Sequence, residues 1–140
     1  MQRLVQLSCV TLVYLLTTMT ACAFEFREGE WELTVRQGVK GMPTGMGVMT
    51  WRECLTQSKP IPTMYLQARS CDVLEQHAVY RTLRYKLSCY TEHGSITNEG
   101  KIHYGDSKLN GDSKSDSGDV AGQKILVRYK FEGRRIGDCQ

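Results

Sequence analysis

Glu30-Trp31-Glu32-Leu33-Thr34-Val35-Arg36 decides the fold class. Trp31, Leu33 and Val35 fall on one side of an extended chain; Glu30, Glu32, Thr34 and Arg36 fall on the other. A period of two means a strand with one buried face. The pattern recurs downstream. Val48 to Leu55 groups Met49, Trp51 and Leu55 on one side. Leu83, Tyr85, Leu87 and Cys89 alternate with Thr82, Arg84, Lys86 and Ser88. Ile125, Val127, Tyr129 and Phe131 alternate with Lys124, Arg128 and Lys130.

Between these segments the chain is punctuated at short intervals. Cys71 to Gln76 and Val79 to Tyr90 read as two strands, His93-Gly94 as a turn, and Ser95 to Tyr104 as extended again. Residues 56–70 hold Pro60 and Pro62 and read as a connection with a short helical turn near Met64 to Ala68. Gly105 to Gly122 is rich in Gly, Asp, Ser and Lys, which predicts a thin strand around Lys108 and a mobile turn over Ser115 to Gly118. Six or seven strands with no long helix predict an all-β antiparallel meander, forming a curved sheet or a partly open barrel.

The first residues are expected to lie outside that domain. Arg3 is the one charge before an apolar run from Leu4 to Leu16, and the run ends in Ala21-Cys22-Ala23. This is the pattern of a cleavable signal peptide over residues 1–23, leaving a single β domain over 24–140. A rival reading takes Met19-Thr20-Ala21-Cys22 as a degenerate lipobox, which would give a lipoprotein anchored at Cys22. Loss of Arg3 lowers the formal charge of +3 by one. Such a small net charge argues against nucleic acid as a partner, and a membrane partner is expected only with lipidation at Cys22.

Cys54, Cys71, Cys89 and Cys139 remain, an even number in an exported chain, so disulfides are expected. Four cysteines allow three pairings. Cys71 and Cys89 flank adjacent strands, while Cys54 and Cys139 end the second strand and the last. The predicted bridges are therefore Cys71–Cys89 and Cys54–Cys139. By loop-closure entropy the long bridge is worth roughly 4–5 kcal/mol and the short one about 3. Together they rival the whole net stability of a small domain.

Several short motifs recur in order: Gly29-Glu30-Trp31-Glu32-Leu33-Thr34, Gly41-Met42-Pro43 with Met46, Cys54-Leu55-Thr56, single cysteines at 71 and 89, Tyr104-Gly105-Asp106-Ser107, and Gly133-Arg134-Arg135-Ile136-Gly137-Asp138-Cys139. In this the chain resembles the domain-of-unknown-function 3617 family, exported proteins mostly of proteobacteria, over nearly all of residues 24–140. It departs after Lys108, where a charged segment replaces a Met- and Thr-rich one. The resemblance implies a periplasmic location and the four-cysteine frame, and no activity or site residues.

Motifs with chemistry are few. Met42, Met46 and Met49 in a Gly-rich loop offer thioether ligands suited to Cu(I), although the same side chains also serve as adaptable core filler. His77, His93 and His103 are scattered. Asp106, Asp112, Asp116 and Asp119 suggest calcium, but an EF-hand counted from Asp112 puts Lys114 at position three and Gln123 at position twelve. No Gly-x-Ser-x-Gly is present and every cysteine is expected in a bridge, so no catalytic residue and no cofactor are expected. Arg134 or Arg135 is expected to pair with Asp138 and pin the last strand.

These readings point to a non-enzymatic periplasmic binding or interaction protein. Its expected binding surface is a concave face carrying Trp31, Leu33, Trp51, Tyr85, Leu87 and Tyr129, open to a small apolar ligand or a partner strand. The alternative is copper handling through the Met loop.

Overall fold

Trp31, Leu33 and Val35 are fully buried, and their alternation sets the face on which the whole molecule is built. The computed structural model describes residues 24–39, 47–120 and 123–140. The Met42 and Met46 positions and the predicted signal peptide lie outside these described residues.

Seven antiparallel strands follow one another: β1 (Gly29–Val39), β2 (Val48–Leu55), β3 (Ser70–Val79), β4 (Thr82–Thr91), β5 (Gly94–Tyr104), β6 (Lys108–Val120) and β7 (Gln123–Gly137). A 3₁₀ turn, Met64–Leu66, interrupts the connection from β2 to β3. The fold is all-β, as expected. β3 to β7 run as a meander; β1 then pairs with β7, and β2 closes the row, giving the order β2-β1-β7-β6-β5-β4-β3. β2 and β3, consecutive in sequence, are thus the two opposite edges of one open sheet.

Two boundaries differ from the sequence reading. Val79 ends β3, and the chain turns at Tyr80, whose φ is +53°. More substantially, Lys108–Val120 is one 13-residue strand, and Ser115, expected in a turn, is buried within it. Beyond Leu109 its inner side carries Gly111, Ser113 and Ser115, small or polar residues that strand propensity undervalues. They are small because the inner face is crowded. A Cβ on Gly111 would stand 2.5 Å from the Phe131 ring.

The sheet curls tightly. β2 and β4 are five strand positions apart, a separation of roughly 24 Å in a flat sheet. Yet the Tyr65 ring centroid lies 5.9 Å from that of Trp51 on β2, and its hydroxyl lies 3.3 Å from that of Tyr85 on β4. Only a sheet wrapped around Tyr65 permits both. The core inside this curl comprises Trp31, Leu33, Val35, Leu55, Leu83, Leu87, Ile102, Leu109 and Phe131, with Ile61, Tyr65 and Leu66 contributed by the β2–β3 connection.

Both predicted disulfides are present. Cys71–Cys89 ties directly opposed residues of β3 and β4. Cys54–Cys139 reaches from the end of β2 past the start of β1 to the residues after β7. Gly29, at φ +152°, sits under this crossing, where a Cβ would run into the Gly137 carbonyl oxygen. Disulfides of this kind are compatible with an oxidising compartment.

Candidate functional site

The inner face, expected to receive an apolar ligand through Trp31, Trp51, Tyr85 and Tyr129, is covered by the protein's own chain. Trp31, Tyr85 and Tyr129 are buried, and Trp51 is half-buried against the same core. Because β2 and β3 are opposite edges, their connection must cross the concavity, and Pro60, Ile61, Pro62, Tyr65 and Leu66 fill it on the way. The surface sequence reading assigned to a ligand is the site of an internal plug.

Polar groups fix that plug. The Tyr65 hydroxyl donates to Asn98 Oδ1 at 3.2 Å and lies 2.8 Å from Ser113 Oγ. Asn98 Nδ2 in turn donates to Ser115 Oγ at 2.9 Å. Tyr104 donates its hydroxyl to the Pro60 carbonyl. From the other edge, the buried Glu53 carboxylate accepts the Trp51 indole N–H at 3.1 Å, the Thr63 N–H at 3.3 Å and the Met64 N–H at 3.5 Å. Lys59 Nζ stands 3.7 Å from the same carboxylate. Burial raises the phenol of Tyr65 well above its ordinary value and pushes Tyr85 up to about 12. Burial likewise raises Tyr104 and Tyr129. All four are neutral at physiological pH.

Two other surfaces are open. The first is the β3 edge, nearly all of whose residues are exposed. Val73 and Leu74 are each 55% exposed and Val79 is 72% exposed, with Tyr80 beside them in the turn. The register against β4 shifts between Val73 and Glu75, so Leu74 stands in a bulge. Alongside this edge, between β3 and the plug, runs a groove of about 370 Å³ lined by Pro60, Ile61, Met64, Cys71, Val73 and Leu87 among others.

The second open surface is the outer face of the sheet. Strand register assembles a row Arg84–Lys101–Asp112–Lys130–Arg36 across β4, β5, β6, β7 and β1. A second row, Lys86–Glu99–Lys114–Arg128, runs beside it from β4 to β7. A shallow groove of about 680 Å³ lies over the middle of these rows, lined by the cations Arg84, Lys101, Lys114, Arg128 and Lys130, the carboxylates Glu99 and Asp112, and Tyr85 and Tyr129. Lys114 Nζ lies 2.5 Å from Glu99 and, by that hydrogen bond, holds the Glu99 carboxyl below its usual range.

The remaining predicted residues fall apart in space or pair locally. Met49 is half-buried, with its sulfur 3.9 Å from Gln67 Nε2. His103 Nδ1 lies 3.2 Å from the Thr82 hydroxyl, and His77 and His93 sit exposed on β3 and in the β4–β5 turn. Among the described residues no group of three His, Cys, Asp or Glu side chains is placed to hold a metal ion. Arg135 pairs with Asp138 and also donates to the Glu28 carbonyl at 2.8 Å, as expected of a pin; Arg134 instead pairs with Glu32 at 2.9 Å. Sequence reasoning missed both open surfaces. The alternating cations of β4 and β7 were visible in the sequence, but their convergence depends on strand order.

No curated protein and no solved structure matches the chain. The model of one family, Protein of unknown function (DUF3617), matches residues 26–139, from the segment before β1 to the last cysteine. With β1, β7 and both disulfides inside that match, the chain belongs to the DUF3617 family.

Proposed function

We propose that this is a non-enzymatic periplasmic interaction protein that takes an extended segment of a partner protein at the β3 edge. One observation carries the reading. An edge strand is usually blunted, because its free N–H and C=O groups template pairing with another chain. Here a ten-residue edge, bulged at Leu74, still leaves Val73, Leu74 and Val79 exposed, and Val73 borders a groove of mixed lining that includes Pro60, Ile61 and Met64. A strand added to β3 gains main-chain hydrogen bonds, and every second side chain drops to the side of Cys71, Val73 and the groove. Asp72 and Glu75 lie on the other side of β3, so basic residues suit the intervening positions.

Photo-crosslinking in the producing cell tests this. A photoreactive residue at Leu74 or Val79 is expected to give one adduct of defined mass, and the same residue at Thr34 on β1 none. No adduct from either β3 position would overturn the proposal. An adduct of twice the protein's own mass would also overturn it, because the occupant would then be a second copy.

A further inference from the structure

The net charge of +3 conceals an uneven distribution. Three pairs of cations stand directly opposite one another across strands of the outer face: Arg84 and Lys101, Lys114 and Arg128, and Arg36 and Lys130. Like charges in opposed positions destabilise a sheet. Of these six, only Lys114 has an ion-pair partner, Glu99, among the described residues. Asp112 is the other carboxylate within the two rows, set between Lys101 and Lys130. Glu99 and Asp112 within the rows, and Glu75 of β3 opposite Lys86, offset part of this repulsion, but the band remains net cationic.

We propose that this band binds an anionic polysaccharide chain laid across the strands. Four strand steps from β4 to β1 give it a length of roughly 19 Å, room for several charged repeats. The cations line a groove rather than a plane, which suits a chain better than a bilayer. From β4 to β1 the two rows carry no apolar or aromatic side chain. A membrane-surface site would insert apolar groups, and a single-stranded nucleic acid site would offer rings for bases to stack on. Tyr85 and Tyr129 also line the groove, but both are buried with their side chains against Tyr65 in the core, so the groove offers no exposed ring and recognises a carboxylated or sulfated sugar polymer chiefly by charge.

Titration calorimetry with heparin oligosaccharides as the probe tests the assignment on the mature protein. Arg84→Gln with Lys130→Gln is expected to weaken binding at least tenfold and to lower the salt dependence of log K by about two contacts' worth. Arg27→Gln with Arg69→Gln, which removes equal charge away from the band, is expected to bind as the parent does. The first variant should unfold at the same temperature as the parent or a higher one at low salt, because repulsion is relieved. Equal losses in both variants, or no heparin binding by the parent, would overturn the proposal. So would phosphatidylglycerol vesicles or single-stranded DNA binding more tightly than heparin at the same ionic strength.

Discussion

The hydroxyls of Tyr65 and Ser113 lie 2.8 Å apart, although 48 residues separate them in sequence. One belongs to the plug and the other to the middle of the sheet, so their contact joins the two parts of the core. Tyr65→Phe removes the hydroxyl and leaves Asn98 and Ser113 short of a partner. The expected loss is about 1–3 kcal/mol by urea denaturation. Tyr65→Ala also empties the centre of the curl and should cost about 3–5 kcal/mol.

Glu53 anchors the plug from the opposite edge by accepting N–H groups from Trp51, Thr63 and Met64. Hydrogen bonds to a charged acceptor contribute about 1.5–3 kcal/mol each. Glu53→Ala removes all three and is therefore expected to lower stability by about 4 kcal/mol or more, and Glu53→Gln, which keeps one acceptor oxygen, by clearly less. Faster amide exchange at Thr63 and Met64 would mark the loss locally.

Alkaline pH should unfold the protein through its buried phenols. Tyr65, Tyr85, Tyr104 and Tyr129 all have values raised above 10 by burial. Above pH 10 the unfolded chain releases protons that the folded one keeps, so stability falls as pH rises. Below pH 10 these groups contribute no slope. The phenolate absorbance of these four should appear together with the loss of sheet circular dichroism; separate, earlier titration would refute the burial argument.

The two bridges should differ in worth. Cys54→Ser with Cys139→Ser opens a loop with a sequence separation of 85, against 18 for Cys71→Ser with Cys89→Ser. Loop entropy sets the costs at roughly 4–5 and about 3 kcal/mol. Thermal unfolding of both double variants checks the order.

Gly111→Ala is expected to destabilise by about 1–3 kcal/mol, since the added methyl meets the Phe131 ring and must displace it. The same change at Gly38, where a Cβ meets nothing within 4 Å, should be near neutral.

Much of the architecture is legible in the sequence. The alternation of Trp31, Leu33 and Val35, and of Tyr129 and Phe131, marks inner faces that are buried as read. The hairpin reading of β3 and β4 was enough to pair Cys71 with Cys89. β6 was not readable, because its inner side is Gly111, Ser113 and Ser115, which look like a turn unless the Asn98 and Phe131 they accommodate are known. The candidate surfaces were hidden for a different reason. Alternation tells which side a residue faces but not which strand lies beside it, so neither the plugged concavity nor the opposed cations could be inferred.

The bridges are nested, with Cys71–Cys89 enclosed by Cys54–Cys139. Cysteines oxidised in order of their emergence would join Cys54 to Cys71, which the finished fold does not contain. The β1–β2 pairing sets Cys54 opposite Glu30, but β1 has no neighbour on its other side until β7 arrives, so the partner Cys139 comes last. Maturation therefore calls for either delayed oxidation or a disulfide isomerase, and yield in a host lacking such an isomerase should be the first casualty.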